Sequence, residues 1–153
     1  MLRIRGSLTL SLLWIAASSA MAAPVEWPIA GGGNGHYYEV IRPSGGITWT
    51  DARLAAESRS VLGVPGHLGT ITRQEEWDFI LGNRELSTSY IWIGLTDEVQ
   101  EGTFRWVTDE PFDFSAWSIS PQEPNNAGNE DYVFYESRST GWGWNDYRNQ
   151  HQL

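Results

Sequence analysis

The chain predicts an α+β domain, and three observations carry that prediction. Two short helical patterns with N-terminal capping signals lie in the first half, each flanked by segments of strand character. Three apolar or aromatic runs follow, at residues 90–95, 131–135 and 141–146, and read as strands. Between the first and second of these, residues 96–130 show little periodicity and much acid, so the sheets must carry a long loop.

In chain order, residues 23–35 are rich in glycine and proline and read as a linker. Residues 36–41, "HYYEVI", alternate and are aromatic or β-branched, which predicts a first strand broken by the following "PSGG". Thr48, with Asp51 three positions on, caps the first helix, whose alanines Ala52, Ala55 and Ala56, with Leu54, would form a narrow packing face. "GVPGHLGTI" ends that helix, and its last residues predict a short buried strand. Thr72-Arg73-Gln74-Glu75 is a capping box opening a second helix to about Leu81. "YIWIGL" is continuously apolar, as a central strand is. "FRWV", "DYVFY" and "GWGWND" supply three more short strands. Trp92, Trp106, Trp117, Trp142 and Trp144 read mainly as core, with Trp142 the one expected at a ligand's side.

Met1 to Gly6 carries Arg3 and Arg5, residues 7–19 are uncharged and mostly apolar, and Ala20-Met21-Ala22 has the small-x-small form of a cleavage site. Residues 1–22 therefore read as a secretory leader, too short for a convincing membrane span, with secretion to the periplasm or cell exterior expected. Cysteine is absent, so packing and metal, not disulfides, must stabilise residues 36–153, and thiolate zinc is excluded. The net charge of −9, with no lysine, argues against nucleic acid and anionic membranes and suits a neutral or cationic partner.

The acid is concentrated. Residues 97–146 hold eleven Asp or Glu against Arg105 and Arg138, both read as surface cations. Such a loop repels itself unless a divalent cation gathers it. Asp109, Glu110, Asp113 and Glu136 read as a solvated acidic face, which leaves the rest for binding. No GxSxG, HExxH or phosphate-cradling glycine loop is present.

"YIWIGL", then "EPN" at 123–125, then "WND" at 144–146 resemble, in order and spacing, a C-type lectin domain of the disulfide-free kind found in secreted bacterial proteins. The resemblance spans about His36 to Asp146. It implies a two-helix α+β fold with small antiparallel sheets and a calcium-stabilised loop. It also implies calcium ligands at Glu123, Asn125, Glu130, Asn145 and Asp146, with a cis bond before Pro124. Vicinal sugar hydroxyls would complete the calcium shell, so the same residues, with Trp142, would bind carbohydrate. The EPN order implies mannose-type sugars (mannose, N-acetylglucosamine, glucose or fucose), where QPD goes with galactose.

An auxiliary calcium site is implied at Asp97, Glu101, Asn126 and Asp131, weakened because Asn126 replaces the family's acid. The family's closing strand after WND is not evident in "YRNQHQL", which would leave the first strand without a partner and the domain truncated. Weak single-site binding would call for oligomers and avidity. Two other readings compete: a lectin fold serving as a protein-binding or adhesion module, and a glycoside-processing enzyme using Glu123 and Glu130 as its carboxylate pair.

Overall fold

The middle strand of the main sheet, β5 (Ile91–Thr96), is buried from Trp92 to Thr96, as a strand covered on both faces must be. In this computed structural model, which describes residues 23–150, β5 pairs antiparallel with β6 (Arg105–Trp106) on one side and β7 (Tyr132–Arg138) on the other. A tight hairpin joins β7 to β8 (Gly141–Tyr147), giving the order β6-β5-β7-β8. Residues 1–22, where a leader is expected, and the last three residues lie outside the described residues.

Strand alternation divides the core between the two faces. Ile93, Leu95, Val133, Tyr135 and Trp144 join Trp77 and Ile80 of α2 (Gln74–Gly82) on one face. Trp92 and Phe134 join Leu68 and Trp49 of α1 (Trp49–Glu57) on the other, where the Trp49 indole donates to the Ile93 carbonyl at 2.8 Å. Trp92, Trp106 and Trp144 are core, as expected, while Trp117 and Trp142 are half-buried against it.

The helices begin close to where the capping signals place them. The Thr48 hydroxyl accepts from the Asp51 amide at 3.2 Å. Ala52 and Ala56 pack on the second face, but Leu54 is exposed because it projects from the outer side of α1. The second capping box is displaced by one residue. Arg73 is the N-cap, and Glu76, not Glu75, reaches back to the Thr72 amide and hydroxyl at 2.8 and 3.1 Å. Glu76 is buried there because Tyr38 and Asn34 also donate to it.

Three other expectations are corrected. Residues 23–35 are packed, not a linker: β1 (Val25–Glu26) pairs with β2 (Tyr37–Tyr38), a short 3-10 turn spans Ile29–Gly31, and Trp27 is buried. Trp27 stacks on Phe79 of α2 at 5.6 Å under the Arg73 guanidinium, which glycine and proline content could not reveal. The first strand is only Tyr37–Tyr38, and β1 partners it. Finally, Leu68 to Ile71 is buried but forms no strand; a two-residue hairpin, β3 (Ser60–Val61) with β4 (Val64–Pro65), precedes it. An apolar cavity of about 1250 Å³ lies between β2, α1 and β5.

Candidate functional site

The β7–β8 hairpin fixes one side of the site. Its register sets Asn145 opposite Phe134 and Asp146 opposite Val133, so the two residues leave opposite faces of β8. Both are buried, Asp146 to 1 % exposure. The long loop comes to them by backbone pairing. Ser118 donates to the Trp144 carbonyl at 2.9 Å, Trp144 donates to Ala116 at 2.8 Å, and Glu123 donates to Ser118 at 2.9 Å. Gly143 makes that approach feasible, since a Cβ there would lie 2.8 and 2.9 Å from the Ser118 Cα and N.

From Glu123 the loop is folded around its own side chains. The Glu123–Pro124 peptide is cis, as is Ser120–Pro121. The two carboxylate oxygens of Asp146 accept from the Asn125 and Asn126 amides at 3.1 and 2.8 Å. Asn125 Nδ2 donates to Glu123 Oε2. Glu130 Oε2 accepts from the Ala127 amide at 2.8 Å, and Asn126 Oδ1 accepts from the Glu130 amide at 2.7 Å. Asn126 and Asn129 reach the left-handed region, which short amide side chains tolerate. Glu123, Asn125 and Asp146 are thus joined by hydrogen bonds, Glu130 is linked to them through Asn126, and Asn145 lies beside them on β8.

Its electrostatics follow from burial. Glu123 is pushed up to about 7, first by burial and then by the Asp146 charge, with Arg138 opposing and Glu130 adding. Burial also raises Glu130, against the Ala127 amide, and Asp146 raises it further. Three carboxylates therefore sit close enough to repel, offset in part by Arg138 at Glu123 and by Arg148, which donates to the Ala127 carbonyl and lowers Glu130.

Two residues of this site were assigned elsewhere from the sequence. Arg138 is not a surface cation, because it donates from Nη2 to Glu123 Oε1 at 3.4 Å and from Nε to Glu136. Glu136 is not a solvated acid; it is buried beneath that guanidinium. The signal available was their i, i+2 spacing on one strand, which puts both on one face.

The second acidic group is less complete. Asp97 closes β5, is buried, and donates its amide to the Asp131 carbonyl at 3.2 Å. Its Oδ2 accepts from Gly102 at 2.8 Å, while Oδ1 is buried without a hydrogen-bond partner. Burial raises its pKa, with Glu101 and Asp131 adding to the shift. Asn126 is not brought here, since its groups are committed to Asp146 and Glu130. Asp131 accepts from Asn129 at 2.8 Å, and Glu101 is exposed.

Among the described residues, no three His, Cys, Asp or Glu side chains form a ready-made metal cluster. The donor chemistry nevertheless suits a hard cation: every candidate atom is a carboxylate or amide oxygen, and one buried carboxylate oxygen, Asp97 Oδ1, is unsatisfied. Trp142 lies on β8, half-buried with its ring 6.0 Å from that of Tyr135.

Residues 46–153 match the family described as the lectin C-type domain. Human C-type lectin domain family 4 member D is 36 % identical over 63 % of this chain and 45 % of its own length. Halomucin of Haloquadratum walsbyi is 29 % identical over 88 % of this chain but only 2 % of its own length. The chain therefore spans less than half of either relative. Among solved structures, the C-type lectin domain of murine dendritic cell inhibitory receptor 2, in complex with an N-glycan, superposes with a TM-score of 0.57. It is 30 % identical, and the match covers 70 % of this chain and 77 % of that one. The cow CD23 carbohydrate-recognition domain, with a GlcNAc2Man3 oligosaccharide, gives 0.55 at 37 % identity, covering 71 % and 76 %.

Proposed function

Because the chain belongs to the C-type lectin domain family, a family of carbohydrate-binding domains and not of enzymes, we propose that it is a secreted calcium-dependent lectin for mannose-type sugars. The observation that carries this reading is the constellation joining Glu123, Asn125 and, through Asn126, Glu130 of the loop to Asp146 of β8. These residues, with Asn145, would hold calcium through hard oxygens, the amides limiting repulsion among the carboxylates. The bound ion would supply positive charge and open coordination positions for two vicinal sugar hydroxyls. Glu123 and Asn125, buried and exposed respectively, would then accept from and donate to those hydroxyls, in the acid-then-amide order of EPN. The exposed part of Trp142 would flank the sugar.

Asp97, Glu101 and Asp131 would hold a second, weaker ion, for which the unsatisfied Asp97 oxygen speaks; the commitment of Asn126 to Asp146 speaks against its share. Affinity for one sugar would be low, so binding would depend on multivalency. The protein-binding alternative draws on one observation, that backbone amides already occupy both Asp146 oxygens.

Retention of residues 23–153 on immobilised mannan decides between them. The lectin reading expects retention in calcium, release by a chelator and by free mannose, and none by galactose. Asn145→Ala is expected to lose calcium and mannan together. Retention indifferent to chelator and mannose, or none in calcium, overturns the reading.

A further inference from the structure

Arg138 is the cation in contact with Glu123, and that contact is part of the site's working. We propose that Arg138 is the site's resident counter-ion: it compensates Glu123 and Glu136 in the cation-free protein and competes with calcium for Glu123. Arg138 thereby sets the calcium affinity of the domain, an inference that rests on the calcium-dependent reading above.

The two contacts of the guanidinium are unequal. Nε donates to Glu136, whereas Nη2 stands 3.4 Å from Glu123, beyond the usual length of a charge-assisted hydrogen bond. The Glu136 contact is the anchor, and the Glu123 contact is the one that yields. Nη1 is buried without a partner, so the fork is incompletely satisfied where it stands and loses little by moving. Gly141, opposite Arg138 in the β7–β8 register, carries no side chain to confine the guanidinium.

Arg138 faces Glu123 Oε1 while Asn125 faces Oε2, so an ion drawing on both carboxylate oxygens would compete with the guanidinium, and a guanidinium beside a divalent ion repels it. Both carboxylates are nearly buried, their side chains 1 % and 6 % exposed, so neither can fall back on water when Arg138 is removed. Arg138 is therefore a positioning residue with two opposed effects: it stabilises the cation-free fold and weakens cation binding.

Those opposed effects make the test. Calcium binding by titration calorimetry, and melts in chelator, would be measured for wild type, Arg138→Gln and the double variant Glu136→Gln/Arg138→Gln. The proposal expects both variants to bind calcium about tenfold more tightly, the scale of one partly buried ion pair. It expects Arg138→Gln to melt lower than wild type in chelator, because Glu136 is left uncompensated, and the double variant to recover most of that loss. The double variant keeps the test valid if the single one fails to fold. Wild-type calcium binding with unchanged or weakened binding in the variants overturns the role of Arg138 while the lectin reading stands. No calcium binding by any of the three overturns both.

Discussion

Asp146 joins the loop to the sheet with two hydrogen bonds on a side chain 1 % exposed, so its removal acts on the fold before any ligand is considered. Asp146→Ala leaves two loop amides without their acceptor and is expected to cost ~1–3 kcal/mol per unsatisfied group in urea unfolding with chelator present. Asp146→Asn keeps one acceptor oxygen and is expected to cost less, yet to lose calcium binding as fully. Equal stability of the alanine variant and wild type would remove Asp146 from its structural role. Gly143 makes a second, independent prediction. The Cβ of Gly143→Ala would press on the Ser118 backbone, which belongs to the loop's own pairing with β8, so a loss of about 1–3 kcal/mol is expected. At this scale the nearness of single letters was readable: Asn125 bonds to Glu123 and Asp146, and Glu130 is linked to them through Asn126. Burial was not readable: Glu136 looks like any exposed acid until its strand register and the guanidinium over it are known.

The elements divide by how local their causes are. Both helices were legible because capping and periodicity act within a few residues, and even the one-residue displacement at α2 arises from a distant partner, the Tyr38 hydroxyl on Glu76. β5, β7 and β8 were legible as long apolar or aromatic runs. The two-residue strands β2 and β6 were legible within "HYYEVI" and "FRWV", while β1, β3 and β4 escaped. β1 exists because Val25 meets Tyr38 and Trp27 meets Phe79, contacts that no window of neighbouring residues contains. If Trp27 docks the N-terminal segment onto α2, Trp27→Ala should cost ~3–5 kcal/mol, as large aromatic truncations in cores do. The same variant should speed hydrogen exchange at the Trp27 and Gly35 amides, which close this segment on His36 and on Trp27 itself. A loss below ~1 kcal/mol would mean that residues 23–35 are a linker after all.

Across the whole molecule the acidic loop is held by two different means. Its first part is clamped by aromatic packing: Phe112 lies 6.1 Å from Trp106, while Phe114 and Trp117 lie 5.7 and 5.8 Å from Trp144. Its second part, from about Glu123 to Asp131, hangs on hydrogen bonds from neutral amides to carboxylates that repel one another. Aromatic packing is indifferent to divalent ions, whereas mutual repulsion of Glu123, Glu130 and Asp146 is relieved by one. Chelation is therefore expected to loosen the second part selectively. Hydrogen exchange should rise at the Asn125, Asn126, Ala127 and Glu130 amides when calcium is withdrawn, and change little at Ser118 and Trp144. Screening offers an independent handle on the same cause. In chelator, raising monovalent salt from about 0.01 to 0.15 M shortens the Debye length from ~30 to ~8 Å and should raise the melting midpoint. With calcium bound that salt response should shrink, because the ion already carries the compensation. A salt response of equal size in both buffers would show that the repulsion is spread over the whole acidic surface and that the constellation is not where calcium acts.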